Sequence, residues 1–282
     1  MSLTEILQVL ELDEVAPDRY LSQNLADSPG VVFGGQLLAQ AIAAAARTVP
    51  DMAVKSMHTL FARGGSPEVP PELDVSRLHV GRSFANLEVS IRQGDRLCTR
   101  SLVLLHRPDA DLIRHADEPP AVPTAERCPV PEVVRRGWEI RYVDGVDIMD
   151  PDAVGPPELY VWSRFAGAPD DPWVSQALLG YASDGFLIGT AMRPHPGAGQ
   201  SLAHVTISTS VIAQTLTFHD PFFAGDWLLL ALRSPHAGAG RSFGRADVFS
   251  ADGRLVASFS QENMIRAFDA DRAPAAGERS KY

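Results

Sequence analysis

An internal repeat is the feature of this sequence that most restricts how the chain can fold. The tetrapeptide GRSF at positions 81–84 recurs at positions 240–243, 159 residues further along. A histidine precedes each copy, at His79 and His236, and a Gly/Asp turn with an arginine follows each copy. Because the match lies in register with the same order of elements in both halves, the sequence predicts an internal duplication.

Each half has the pattern of one helix followed by four strands. In the first half, apolar residues recur at helical spacing from Gly34 to Pro50, and the many alanines allow a sheet to approach closely. A short leading helix is also predicted at 4–12, with Thr4 as its candidate cap. The strand-like stretches of the first half are 54–61, 72–79, 83–92 and 97–106. In the second half, a strand-like stretch at 159–164 and a helical stretch at 172–185 precede strand-like stretches at 205–219, 227–233, 242–249 and 255–266.

A proline-rich stretch separates the two halves, and its periodicity is weak except around Trp138–Val146. We therefore expect an N-terminal unit at residues 1–107, a connector at 108–157 and a C-terminal unit at 158–282. Each unit would wrap a curved antiparallel sheet around one apolar helix, and the edge strands of the two units would join into one continuous sheet. The predicted fold class is α+β.

Composition and charge exclude several classes of protein. The 282 residues carry a formal net charge of −10 and have no run rich in lysine and arginine, so we expect no binding to nucleic acid. Cys98 and Cys128 lie in no metal-ligating or disulfide pattern, and we expect neither a metal nor another cofactor. No apolar run approaches the roughly 18 residues of a membrane span, and the first residues lack the features of a signal peptide. We therefore expect a cytoplasmic protein without stable membrane insertion.

Five groups of residues occur in a specific order along the chain. They are Val32-Phe33-Gly34-Gly35-Gln36 with Gln40, His58 before Phe61 and Arg63, Leu179-Gly180-Tyr181-Ala182-Ser183-Asp184, Phe218-His219 before Pro221-Phe222, and Gln261-Glu262 before Met264-Ile265-Arg266. With these residues the chain resembles the double-hotdog acyl-CoA thioesterases of the bacterial thioesterase II (TesB-type) family, over nearly its whole length and least in the connector. The resemblance implies a double hotdog fold, hydrolysis of fatty acyl-CoA to free fatty acid and CoA, and a homo-oligomer. The candidates for substrate binding are Gly34, Gly35, Gln36 and His58.

The resemblance also implies a catalytic site built from an aspartate, a serine or threonine, and a glutamine of the second half. Matching by position gives Asp184 for the aspartate and Gln261 for the glutamine. The position of the family hydroxyl, seven residues before Phe218, holds Val211 here, and the family's Asp-His pair is replaced by Ala213-Gln214.

Three hydroxyl groups of the same strand are candidates to replace the missing one. In a regular strand alternate residues share a face, so Thr209 and Thr215 would point the same way as Val211. A β-bulge would change this alternation, so Ser210 also stays a candidate.

The proposed residue types suit the hydrolysis of a thioester, which needs a positioned water, a base and donors for the developing oxyanion. A partly desolvated Asp184 has a raised pKa and becomes a better base, while the amide of Gln261 can donate to and accept from the same water. We expect the oxyanion donors to be backbone N–H groups at a helix start or turn. Each candidate also has an ordinary structural explanation, since Asp before Gly is common at helix ends and Gln, Thr and His are common in strands.

Other functions remain open at this point. The chain has no GxSxG motif, which disfavours a Ser/His/Asp hydrolase. Related enoyl-CoA hydratases carry a His five residues after the Asp, whereas position 189 here is Gly. A non-catalytic protein that binds acyl-CoA is the third alternative, and the valine at position 211 favours it. For an acyl-CoA thioesterase, the acyl chain is expected in an apolar tunnel between the halves.

Overall fold

We describe the protein from a computed structural model, in which residues 2–25, 30–131 and 137–268 are described. Its helices are α1 (Leu3–Gln8), α2 (Gly34–Thr48), α3 (Pro172–Ser183) and α4 (Leu187–Met192). The strands of the first half are β1 (Asp13–Ala16), β2 (Arg19–Leu21), β3 (Ala53–Phe61), β4 (Glu72–Val80), β5 (Phe84–Gln93) and β6 (Arg96–His106). The strands that follow are β7 (Glu139–Tyr142), β8 (Glu158–Arg164), β9 (Ile207–Phe218), β10 (Leu228–Gly238), β11 (Arg241–Ser250) and β12 (Leu255–Ala267).

The strands in the described part of the chain form one antiparallel sheet with a palindromic order. The order is β1-β2-β4-β5-β6-β3-β9-β12-β11-β10-β8-β7. Strands β3 and β9 meet at the centre, where Thr59 pairs with Gln214 and His58 pairs with Thr215. Outward from this seam the second half repeats the order of the first half, as the internal duplication predicts.

Helices α2 and α3 pack against each other on the inner face of this sheet. The alanines of α2 at positions 39, 41, 43, 44 and 45 are fully buried, because their small side chains let the sheet and α3 approach. Gly180 of α3 lies so close to Ile42 that an added Cβ would stand 2.8 Å from its Cδ1 atom. The main core therefore lies between the two helices and the inner face of the sheet.

The predicted order of one helix and four strands is present in both halves, with boundaries shifted by a few residues. The prediction of a cap at Thr4 is wrong, because Ser2 caps α1 and forms a capping box with Glu5. The short strands β1, β2 and β7 and the short helix α4 were not predicted. Their lengths of three to six residues are too small to show a clear periodicity.

The proline-rich stretch packs against the second half of the sheet on both faces. On the outer face, away from the helices, Ala125, Cys128 and Val143 form a cluster with Trp162, Leu229 and Phe249. Trp162 donates its indole N–H to the carbonyl oxygen of Pro123 at 2.8 Å. The stretch therefore covers the part of the outer face that is formed by β8, β10 and β11.

The outer face of the first half carries apolar side chains that are exposed in the chain as described. Leu60, Leu78, Phe84 and Leu102 are each 48–59% exposed, and we call this surface the outer N-terminal face. A groove of about 490 Å³ runs along it, lined by residues that include His58 and Thr215. The two halves thus share an architecture but differ in what covers their outer faces.

Candidate active site

The carboxylate of Asp184 lies where the end of α3 meets the start of α2. Asp184 is the C-cap residue of α3, and its Oδ2 atom accepts a hydrogen bond from the backbone N–H of Gly35 at 2.9 Å. A Cβ on Gly35 would stand 2.3 Å from the carbonyl oxygen of Tyr181, and one on Gly34 would stand 2.8 Å from Oδ2 of Asp184. Both positions therefore require glycine for the two helix ends to come this close.

Burial raises the pKa of Asp184 from its ordinary value near 3.8 to about 7, and the hydrogen bond from Gly35 opposes part of this shift. The residues around this end of α3 are aromatic. The Trp138 ring stacks on Phe165 at 5.6 Å between ring centroids and meets the edges of Tyr181 and Phe186. Burial in this part of the molecule disfavours the ionised carboxylate, so this carboxyl group can exchange a proton near neutral pH.

A network of side-chain amides connects Asp184 to the sheet. The Nε2 group of Gln261 donates to Oε1 of Gln214 at 2.6 Å and to the carbonyl oxygen of Ser183 at 3.2 Å, and lies 3.5 Å from Oδ1 of Asp184. The Nε2 group of Gln214 donates to the hydroxyl of Ser183 at 2.5 Å. That hydroxyl in turn donates to the carbonyl oxygen of Gly180 at 2.7 Å. The network thus fixes Gln261 beside the carboxylate.

The backbone carbonyl oxygen of Gly180, at one end of this network, determines the direction of the hydrogen bonds between the side chains. A carbonyl oxygen only accepts, so the Ser183 hydroxyl donates to Gly180 and must accept from Gln214. Gln214 then presents its oxygen to Gln261, which must present its NH2 group. The Oε1 atom of Gln261 is consequently left buried and without a partner among the described atoms. A buried acceptor of this kind is available to a bound molecule.

Strand β9 is not regular, and this decides where the three candidate hydroxyls lie. Asn263 of β12 pairs with Val211, whereas Glu262 pairs with Ala213, so Ile212 is an extra residue in a β-bulge. Beyond the bulge the inner face is formed by Gln214 and every second residue after it, all of which are buried. The expectation that Thr215 shares a face with Val211 is therefore wrong.

None of the three candidate hydroxyls is bonded to Asp184 or Gln261 in the structure. Thr215 lies on the outer face with its hydroxyl 2.8 Å from Nδ1 of His58, and the exposed Ser210 bonds to the carbonyl oxygen of Val211. Thr209 is buried on the inner face, where its hydroxyl lies 3.5 Å from Nε2 of His204.

Thr209 is nevertheless distant along the strand. It pairs with Ile265, which is four residues beyond Gln261. At about 3.3 Å per residue this places Thr209 roughly 13 Å from the level of Gln261.

The candidates for substrate binding fall into two groups. Gly34 and Gly35 are in contact with the end of α3, as described above. Gln36 is fully buried, accepts from the backbone N–H of Leu25 and donates to Asn24, so it ties the segment before α2 to that helix. His58 lies on the outer face of the sheet, away from the helices.

The opposite ends of the same two helices do not repeat this arrangement. There α2 ends at Thr48, with Val49 as its C-cap residue, and α3 begins with Pro172, which has no backbone N–H. The carboxylate of Asp171 accepts instead from the N–H of Trp173 in its own helix at 3.2 Å. The carboxylate site is thus built at one of the two related pairs of helix ends.

Comparison with known proteins identifies the family. A family model described as the acyl-CoA thioesterase C-terminal domain matches residues 114–265, and a model of the acyl-CoA thioesterase N-terminal domain matches residues 25–106. The chain belongs to the acyl-CoA thioesterase family. These matches confirm the resemblance to acyl-CoA thioesterases and the expected thioester hydrolase activity.

Curated relatives of this thioesterase span nearly its whole length. Acyl-CoA thioesterase 2 of Haemophilus influenzae is 28% identical, with 94% of this chain and 98% of that protein aligned. Acyl-coenzyme A thioesterase 8 of Mus musculus is also 28% identical, with 93% of this chain and 88% of that protein aligned. The family resemblance is therefore not confined to one half.

Solved structures confirm the double hotdog fold of the thioesterase. The crystal structure of an acyl-CoA thioesterase II, TesB2, from Mycobacterium marinum has a TM-score of 0.79 at 28% identity, covering 93% of this chain and 98% of that chain. A hot dog fold protein of unknown function from Alicyclobacillus acidocaldarius has a TM-score of 0.75 at 17% identity, covering 93% and 98%. In the described parts of our chain, no helix is both long and apolar enough to cross a membrane.

Proposed function

We propose that this thioesterase hydrolyses fatty acyl-CoA by means of a water molecule that Asp184 deprotonates and Gln261 orients. The observation that supports this proposal is the meeting of three groups at one point. The Asp184 carboxylate, the N–H of Gly35 and the amide of Gln261 converge from α3, α2 and β12.

The reaction balances with these residues and no further reagent. The water oxygen attacks the thioester carbonyl carbon while Asp184 takes one of its protons. The oxyanion that forms is stabilised by the backbone N–H of Gly34 at the start of α2, where the helix carries a partial positive charge. The bond between carbon and sulfur then breaks, Asp184 returns the proton to the sulfur, and free fatty acid and CoA are released.

The raised pKa of Asp184 supports its role as the base. At a pKa of about 7 the carboxylate is ionised in roughly half of the molecules at neutral pH and is a far stronger base than an ordinary aspartate. Gln261 contributes its unpartnered Oε1 atom, which accepts a hydrogen bond from the water. Gln214 and Ser183 act on the reaction only through the position of Gln261.

Release of free thiol from acyl-CoAs of several chain lengths tests this function. Asp184→Asn should reduce kcat by about 100-fold or more, since the amide cannot accept the proton. Asp74→Asn, at an exposed ion pair with Arg19, is the control and should leave turnover unchanged. Full turnover by the Asp184 variant would contradict the proposed role.

The same assays separate the alternative functions. Binding of acyl-CoA by the wild type without thiol release would favour a non-catalytic binding protein. This is the second candidate, because none of the three candidate hydroxyls of β9 is bonded to Asp184. Formation of 3-hydroxyacyl-CoA from enoyl-CoA would indicate a hydratase. We place the acyl chain in an apolar tunnel between the halves, and a complex with CoA would test this placement.

We also propose that the protein forms a homo-oligomer in the cytoplasm. The exposed apolar residues of the outer N-terminal face support self-association, because large apolar patches on a surface usually mark interfaces. Cys98 and Cys128 are both buried free thiols, which suits a reducing compartment. Sedimentation and cell fractionation test these two points.

A further inference from the structure

We propose that Asn263 completes the water site, in the place of the hydroxyl that the family carries at the position of Val211. This inference rests on the proposed function, in which Asp184 and Gln261 act on water. None of the hydroxyls considered above reaches those two residues, so a different polar group is needed beside them.

Strand pairing places Asn263 next to the position of the missing hydroxyl. Asn263 is the direct partner of Val211 on the neighbouring strand, so the two side chains point to the same face. It follows Gln261 by two residues and therefore shares the inner face with it. The separation along the strand is roughly 7 Å, about half of the separation between Gln261 and Thr209.

The side chain of Asn263 is buried and only partly satisfied. It is fully inaccessible to solvent, and its Nδ2 group donates to the hydroxyl of Ser242 on β11 at 3.3 Å. Since β11 and β9 lie on opposite sides of β12, an amide that turns its nitrogen toward Ser242 turns its oxygen toward Val211. This Oδ1 atom has no hydrogen-bond partner among the described atoms.

The two unpartnered amide oxygens of β12 point to a bound molecule that can donate hydrogen bonds. Oε1 of Gln261 and Oδ1 of Asn263 are both buried acceptors on the inner face, and buried acceptors without partners are rare in proteins. Water is the reactant that donates. We place the attacking water with one hydrogen directed to Asp184, which removes it, and with the other shared by the amide oxygens of Gln261 and Asn263.

The experiment combines loss of the amide with return of the family hydroxyl. Asn263→Ala should lower kcat for acyl-CoA by about 100-fold and change KM by less than about threefold, since the lost contact is to the water and not to the acyl chain. The double variant Val211→Thr with Asn263→Ala should recover at least about tenfold of that loss, because a threonine there presents a hydroxyl to the same space. A purely structural role of Asn263 predicts no such recovery.

Two results would overturn the inference. The first is a kcat of Asn263→Ala within about twofold of the wild type. The second is a loss of kcat that threonine at position 211 does not reverse, while thermal unfolding shows both variants to be folded. If Asn263→Ala does not fold, Asn263→Leu, which fills a similar volume without polar atoms, replaces it as the parent of the double variant.

Controls separate this inference from the function on which it rests. Asn86→Ala removes an asparagine from β5 in the other half and should leave kcat unchanged. Asp184→Asn is measured in parallel. Loss of turnover in Asp184→Asn with normal turnover in Asn263→Ala would reject the role of Asn263 alone, whereas normal turnover in Asp184→Asn would reject the proposed function.

Discussion

The backbone N–H of Gly35 donates a hydrogen bond of 2.9 Å to the carboxylate of Asp184, although the two residues lie 149 positions apart in the chain. This bond joins the helix of the first half to the helix of the second half. The candidate active site therefore belongs to neither half alone, and the two halves must pack correctly before the carboxylate takes its place.

The rate of hydrolysis should depend on pH through Asp184. The ionised carboxylate is the base, so kcat/KM should rise with pH to a plateau along a curve with an apparent pKa of about 7. Thiol release measured across roughly pH 5–9 checks this, with enzyme stability verified at each pH. If the residual activity of Asp184→Asn shows the same inflection near pH 7, the inflection belongs to a group other than Asp184.

The free energy of unfolding should fall as pH rises between about 4 and 7. Burial raises the pKa of Asp184 in the folded state above its unfolded value near 3.8, so the stability that the neutral carboxyl contributes is fully present below pH 4 and is lost as the group ionises. Asp184→Asn cannot ionise. The free energy of unfolding of this variant relative to the wild type should therefore increase from pH 4 to pH 8. We expect an increase of up to about 4 kcal/mol, since the pKa of Asp184 rises from near 3.8 to about 7, and urea unfolding curves measure it. An equal difference in stability between the variant and the wild type at pH 4 and at pH 8 would contradict the ionisation of Asp184 as the cause.

Gly35→Ala should impair both stability and catalysis. The added Cβ would stand 2.3 Å from a backbone oxygen of α3, so the helix ends must separate, and we expect a loss of about 1–3 kcal/mol and at least a tenfold loss of kcat. Gly180→Ala is the matched control, since its Cβ would meet the flexible end of Ile42 and not backbone. Thermal unfolding and thiol release distinguish the two variants, and similar behaviour of both would disprove the explanation.

Gln214 should act as a positioning residue. Gln214→Leu removes the acceptor that orients the Gln261 amide, and kcat should fall by about tenfold with KM changed by less than about twofold. Gln176→Leu is the control, because Gln176 is also a buried glutamine but bonds to the carbonyl oxygen of Val54. Comparable losses of kcat in both variants would indicate general destabilisation.

Leu102→Glu should weaken self-association. It places a charge at the centre of the outer N-terminal face, where Leu102 lies between His58 and Glu88. Sedimentation velocity should then show a shift toward the 30.5 kDa monomer. Leu112→Glu, at a connector residue that is 97% exposed, should not change the distribution. A wild type that is monomeric at micromolar concentration would refute the prediction.

The sequence was sufficient to predict the order of the main elements and to propose Asp184 and Gln261, which the structure places side by side. Long helices and strands have clear periodicity, and Asp184 and Gln261 follow from the position of family motifs. The bulge at Ile212 could not be predicted, because an extra apolar residue in a strand of mixed residues leaves no local signal. The single extra residue Ile212 is therefore the reason why Thr215 lies on the outer face and not on the face of Val211.

The contacts that support the site depend on long-range packing that no local pattern reports. In the sequence, Gln214 stood out only as a departure from the family motif. The strand pairing places it directly opposite Gln261, and this shows that it can orient the Gln261 amide. Trp138 lies in the stretch expected to be a connector, yet its ring packs beside the end of α3. The sequence signal for Trp138 was a short periodic segment within the proline-rich stretch.

The proline-rich stretch covers part of the outer face of the second half but leaves the outer N-terminal face exposed. This difference limits how copies of this chain can assemble. The second half carries its own cover in the residues around Ala125 and Val143, which occupy the surface that a neighbour would need. Among the described residues of the outer sheet surface, the outer N-terminal face stays open to a second molecule. We expect two molecules that join through this face about a twofold axis to bury it on both partners, so that assembly stops at a closed pair instead of continuing as a fibre.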